Sequence, residues 1–129
     1  MAKSFMQMVE EARAEVDSLG PDEARERLAQ DPDALVVDVR DAADVSSTGL
    51  APGGVNISLG MLPVKADQEL PEEWREPRLQ DRSRQLILTC QTGANAARGA
   101  KLLKDMGFTN VSVMDGGMQA WKAAGLPTE

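Results

Sequence analysis

The chain has 129 residues, 42% of them hydrophobic and 27% charged, with a formal net charge of −7; this predicts one globular domain, and negative charge with scattered basic residues disfavours a nucleic-acid partner. There is no histidine and one cysteine, Cys90, which removes an internal disulfide, a metal centre of soft or imidazole ligands and any catalytic pair built on imidazole. No apolar run approaches the ~18 residues of a membrane span, the start MAKSFMQMVEE lacks the apolar stretch of a secretory signal, and an unpaired cysteine fits a reducing, cytoplasmic location with no membrane attachment.

In chain order, SFMQMVEEARA (4–14) places Phe5, Met8, Val9 and Ala12 on one helical face, with Ser4 as N-cap. Residues 15–19 predict a short edge strand. GPDEARERLAQ has Pro21 near its start, acids in its first turn and Arg25 and Arg27 later, the charge order that suits a helix dipole. In ALVVDVRD the apolar run Leu35–Val39 predicts a buried parallel strand. Asp38 interrupts it and Arg40 ends it, and the two either orient loops at the strand's C-terminal end or meet a substrate directly. SSTGLAPGGVN (46–56) reads as loop, punctuated by Gly49, Pro52, Gly53 and Gly54. ISLGMLPV predicts a brief strand and then a turn or short helix.

Residues 65–84 are polar, contain Pro71 and Pro77, and predict a surface excursion with one helical turn near Glu72–Arg75, anchored to the body by Trp74. QLILT predicts a second buried strand. Residues 95–106 predict a helix with Ala96, Ala100 and Leu103 on one face and Gly107 as its C-terminal stop. NVSVMD predicts a third strand, and GGMQAWKAAG a short helix with Met118 and Trp121 at i, i+3. The alternation of strands and helices predicts parallel pairing with right-handed crossovers. The expected fold is α/β, a three-layer sandwich with a mostly parallel central sheet flanked by helices.

The stretch LILTCQTGANAARGAKLL (86–103) is the candidate site. Ligands of open parallel sheets collect at the C-terminal ends of strands, and Cys90 stands at such an end. The uncharged residues Gln91, Thr92, Gly93, Ala94 and Asn95 follow, and the helix starts at once. A tight loop that enters a helix can turn its backbone N–H groups toward one centre, helped by the helix dipole. Gly93 permits angles that a side chain forbids, and Ala94 is too small to cover the cradle. Such amides favour thiolate over thiol, so Cys90 can act as a nucleophile without histidine; a small buried hydrophobe is the competing reading.

Four segments stand in order along the chain: LVVDVRD at 35–41, GLAPGGVNI at 49–57, CQTGAN at 90–95 and GFTNVSVMDGGMQAWKAAGLP at 107–127. Together they resemble the single-domain rhodanese-like proteins of the sulfurtransferase family. They match its strand ending in Asp-x-Arg, its Gly-His-Ile-Pro-Gly-Ala loop, its six-residue active-site loop and its closing Gly-Phe…Gly-Gly…Ala-Trp…Gly-Pro segment. Leu50 stands where the family has histidine. LGML at 59–62 is similar to an Arg-Gly-Met-Leu segment of one subgroup, with Leu59 in place of the arginine. The resemblance covers residues 15–129 and leaves 1–14 as an N-terminal helical extension.

The resemblance implies a sulfurtransferase or sulfur carrier that moves sulfane sulfur through a persulfide on Cys90 to a thiol or other nucleophilic acceptor. It implies that the loop Gln91, Thr92, Gly93, Ala94 and Asn95 holds the terminal sulfur, that Asp38, Arg40 and Arg98 support it, and that neither a metal nor an organic cofactor is needed. The implied partners are a small sulfur donor or persulfidated protein and a thiol acceptor; the apolar N-terminal helix and the 65–84 excursion are candidate surfaces for a partner or a homodimer.

Gln91 and Asn95 occupy positions where many members carry cations. A neutral cradle predicts weak use of thiosulfate, a dianion, and is similar in character to the uncharged loops of mercaptopyruvate-type members. It also keeps open a second reading, a catalytically weak or inactive rhodanese-like binding or regulatory module. A cysteine phosphatase or arsenate reductase is disfavoured, because its Cys-x5-Arg loop needs a guanidinium where this chain has Ala96.

Overall fold

The computed structural model describes residues 2–129. Its centre is a sheet of five strands, β1 (Asp17–Leu19), β2 (Leu35–Asp38), β3 (Val55–Asn56), β4 (Leu86–Thr89) and β5 (Val111–Met114), in the order β1-β5-β4-β2-β3. Every pairing is parallel. The three apolar runs read from the sequence form the central strands, and all four residues of β2 and of β4 are buried, as strands covered on both faces must be. Asp38 pairs in register with Thr89, so the segments that begin at Val39 and Cys90 leave the sheet side by side.

Six helices cover the two faces: α1 (Phe5–Glu15), α2 (Pro21–Gln30), α3 (Ala42–Thr48), α4 (Leu62–Ala66), α5 (Ala94–Asp105) and α6 (Gly117–Ala123). The alternation of side chains along a strand divides the core. Leu35, Val37, Leu86, Leu88 and Cys90 pack with Ala12 of α1, Leu62 of α4 and Ala96, Ala100 and Leu103 of α5. Val36, Ile87 and Met114 pack on the other face with Ala24 of α2 and Met118 and Trp121 of α6. The three-layer α/β sandwich is therefore present, with a sheet that is parallel throughout.

α1 opens with a capping box in which Ser4 and Gln7 satisfy each other's backbone N–H groups. Val9 and Ala12 are buried, and α1 packs along α5, whereas Phe5 and Met8, expected on the same face, remain partly in solvent.

Several local expectations are corrected. Residues 46–48 end a helix, α3, rather than begin a loop; Val45 is its one buried residue, so the sequence carries almost no amphipathic signal. The brief strand is Val55–Asn56, ahead of Ile57. The 65–84 excursion contains two 3-10 turns, Glu72–Trp74 and Pro77–Leu79, and its anchor is Leu79, not Trp74. Leu79 is 0% exposed and joins the core beneath α5, while Trp74 is 53% exposed. Among the described residues no helix is long and apolar enough to cross a membrane.

Candidate active site

Cys90 is the first residue beyond β4, and α5 starts four positions later. Its Sγ accepts hydrogen bonds from the backbone N–H of Gly93 at 3.0 Å and of Ala96 at 3.3 Å. The first donor depends on Gly93 as N-cap with φ +101°, a left-handed conformation that side-chain-bearing residues resist. The second is a first-turn amide of α5, one of the donors that a helix leaves without an internal partner. The sulfur thus takes up orphan N–H groups of a twelve-residue helix and faces the positive end of its dipole. Cys90 is only 5% exposed.

The loop is held from behind by α6. Met118 N–H donates to the Cys90 carbonyl at 2.7 Å and Gln119 N–H to the Gln91 carbonyl at 3.0 Å. Two carbonyls are thereby turned away from the sulfur, which leaves its surroundings to donors. Gly117 has φ +58°, and a side chain there would reach within 2.7 Å of the Gln91 carbonyl. Sequence reasoning did not assign this role to the Gly116–Gly117 pair. The signal available was a glycine pair placed directly between a strand and a short helix.

Asp38 and Arg40 form a buried ion pair, 0% and 6% exposed. Arg40 Nε donates to both carboxylate oxygens at 3.0 and 3.2 Å, and Nη2 donates to Oδ2 at 2.7 Å. The remaining donors of Arg40 reach Thr48 Oγ1 at 2.7 Å, the Gly49 carbonyl at 3.2 Å and Gln91 Oε1 at 3.3 Å. Asn56 Nδ2 ties the Asp38 and Arg40 carbonyls together. One guanidinium thus joins β2, the end of α3 and the loop after Cys90.

A cleft of about 720 Å³ opens over the sulfur. Arg40, Gln91, Thr92, Ala94 and Asn95 line it beside Cys90, Phe5 and Leu59 add apolar surface, and the acids Asp41 and Asp44 are also among its lining residues. Among the described residues Arg40 is its one basic lining residue, and that charge is matched by Asp38. Arg98 lies outside this lining. Its guanidinium sits 5.6 Å from the Phe5 ring centroid, and its Nη1 donates to Asn95 Oδ1 at 3.2 Å, so it pairs with an amide and a ring. Among the described residues no cluster of histidine, cysteine and carboxylate side chains suits a metal ion.

The family model described as "Rhodanese-like domain" matches residues 20–124, and the chain belongs to that family. The match begins after α1 and β1. Among curated proteins the chain is similar to a "Sulfurtransferase" of Allochromatium vinosum, 26% identical over 112 residues that cover 87% of this chain and 94% of that protein. It is also similar to "Adenylyltransferase and sulfurtransferase MOCS3-2" of Zea mays, 32% identical over 128 residues covering 92% of this chain; it spans only 25% of that maize protein. Among solved structures it is similar to the polysulfide-sulfur transferase homodimer of Wolinella succinogenes, with TM-score 0.75, 30% identity, and coverage of 97% of this chain and 86% of that one. A protein of unknown function from Rhodopseudomonas palustris, described as a "Possible Tyrosine Phosphatase", superposes with TM-score 0.90, 28% identity, and coverage of 100% and 96%.

Proposed function

We propose that the protein is a sulfurtransferase or sulfur carrier that works through a persulfide on Cys90. The observation that carries this reading is the convergence of the Gly93 and Ala96 amides on Cys90 Sγ. These donors stabilise negative charge on the sulfur that attacks and, later, on the sulfur that leaves. In the first half-reaction the Cys90 thiolate attacks the sulfane sulfur of a donor; a Cys90 S–S bond forms, the donor's bond to that sulfur breaks, and the donor's remainder departs with the electron pair. In the second, an acceptor thiolate attacks the outer sulfur and the Cys90 thiolate is released. Neither half-reaction uses a metal or an organic cofactor. A thiol acceptor and a cytoplasmic setting suit the single unpaired cysteine.

The names of the A. vinosum and W. succinogenes relatives support sulfur transfer as the class of reaction. Thiosulfate is expected to be a poor donor, because among the described residues the one basic side chain lining the cleft, Arg40, is paired with Asp38, and Asp41 and Asp44 also line it. The second reading, a binding or regulatory module with a retained cysteine, draws on the low exposure of Cys90 and the same pairing of Arg40. A phosphatase reading would require a guanidinium over the phosphate, and the Ala96 position supplies a backbone amide instead.

Intact-mass spectrometry after exposure to inorganic polysulfide, 3-mercaptopyruvate and thiosulfate tests the proposal. The expected result is a gain of one sulfur atom on the wild-type chain, least with thiosulfate, and none on Cys90→Ser. If no donor leaves the adduct, the binding-module reading replaces the enzyme.

A further inference from the structure

Two amide side chains of the cysteine loop each accept a hydrogen bond from an arginine. Gln91 Oε1 accepts from Arg40 Nη1 at 3.3 Å, and Asn95 Oδ1 accepts from Arg98 Nη1 at 3.2 Å. A guanidinium has donors only, so an amide that bonds to it must offer its oxygen. The orientation of each amide follows from chemistry, and each NH2 group is left on the other side of its side chain. Both residues line the Cys90 cleft, and neither Gln91 Nε2 nor Asn95 Nδ2 donates to any group among the described residues.

We infer that Gln91 and Asn95 are specificity-determining residues that present neutral donors to an uncharged oxygen acceptor on the sulfur-accepting thiol, and that the class of acceptor is a cysteine whose own amide carbonyls lie close to its sulfur, free or in a peptide chain. This rests on the persulfide reading above. Arg40 is neutralised by Asp38 and Arg98 lies outside the lining; the two arginines set the polarity of the amides they bond. A carbonyl oxygen gains two donors there. A carboxylate-bearing thiol meets the same donors but also the acids Asp41 and Asp44 of the lining. Phe5 and Leu59 supply apolar surface for the rest of the molecule. The step is RS⁻ + Cys90–S–SH → RS–SH + Cys90–S⁻: one S–S bond breaks, one forms, and the electron pair returns to the Cys90 sulfur.

The test is single-turnover transfer. The protein is loaded with inorganic polysulfide, freed of excess donor, and its loading is measured by mass. N-acetylcysteinamide, which carries two amide carbonyls, and 1-propanethiol, which carries none, are then compared as acceptors in the wild type, in Gln91→Glu with Asn95→Asp, and in Gln91→Met. The acidic pair keeps an oxygen for each arginine but replaces both NH2 donors by acceptors. The ratio of the two rates cancels differences in loading and in the reactivity of the thiols themselves. It is expected to fall about three- to tenfold in the acidic pair, the range of one or two neutral hydrogen bonds, and to fall by a smaller factor in Gln91→Met. An equal ratio in all three proteins overturns the inference while leaving the persulfide reading intact. Failure of the wild type to load overturns both. A tripeptide with a central cysteine separates peptide from free acceptors: a ratio at least equal to that of N-acetylcysteinamide places the acceptor sulfur within a peptide chain, and a lower one restricts the class to free thiols.

Discussion

The backbone N–H of Met118 donates to the carbonyl of Cys90 at 2.7 Å, which makes α6 the support on which the sulfur loop rests. Gly117 is the point of closest approach, with its Cα–H face against the Cys90 and Gln91 carbonyls. Gly117→Ala combines a left-handed backbone with a clash against main chain that cannot turn aside. It is expected to destabilise the fold by about 1–3 kcal/mol and to displace the loop. Thermal unfolding checks the first effect and sulfur loading of Cys90 the second. Loading at the wild-type rate would mean that the support is not needed for the cradle.

Arg40→Met removes the cation from Asp38, which is buried at 0% exposure. An uncompensated charge of this kind costs about 3–5 kcal/mol. The double variant Asp38→Asn/Arg40→Met removes both charges and is expected to recover much of that loss, because the large penalty comes from the orphaned partner. Urea denaturation of the wild type, Arg40→Met, Asp38→Asn and the double variant gives the coupling. Equal losses in single and double variants would show that Arg40 acts through Thr48, Gly49 and Gln91 alone.

Trp74 and Leu79 exchange the importance that their sizes suggest. Trp74→Ala is expected to change stability by no more than about 0.5 kcal/mol, whereas Leu79→Ala empties a fully buried position and is expected to cost about 2–5 kcal/mol. Denaturant midpoints compare the two. Trp74 is also expected to emit as a solvated indole and Trp121, which is 1% exposed, as a buried one. A larger loss at Trp74 than at Leu79 contradicts the packing described.

Asp67 accepts the backbone N–H groups of Glu69 and Leu70, and these bonds hold its carboxyl below the ordinary value of 3.8. The folded state therefore binds the proton less readily than the unfolded chain. The stability this contributes is complete above the ordinary carboxylate value and drains away as pH falls through 3.8 and below. Asp67→Asn is expected to melt earlier than the wild type at neutral pH, and the gap is expected to close as the medium is acidified through that range. Melting curves for both proteins between neutral pH and pH ~3 measure it; a gap that widens with acid would reverse the sign.

The strands were legible because burial on both faces writes itself into sequence as short apolar runs, as in Leu35–Val37 and Leu86–Leu88. The site was legible in outline for a related reason: a cysteine at the end of such a run, followed by small residues and a helical pattern, places the sulfur at a helix start. α3 was hidden because Ser46, Ser47 and Thr48 favour turns over helices and Val45 alone is buried. Leu79 was hidden among prolines, arginines and acids that show no period. The support from Gly117 and the bond between Arg40 and Gln91 join residues far apart in the chain, and no local pattern encodes them. Gly117 had a visible peculiarity and no visible partner.

The sheet closes on each side with a strand too small to recruit another. β1 has three residues, two of them exposed, and β3 has two. An incoming chain needs a longer row of free N–H and C=O groups to extend a sheet. Such edges make self-association through strand addition unfavourable even though the core strands are strongly β-forming. A visiting polypeptide is then directed away from the sheet's margins and toward the concave surfaces of the helical layers, of which the cleft above the sulfur is one.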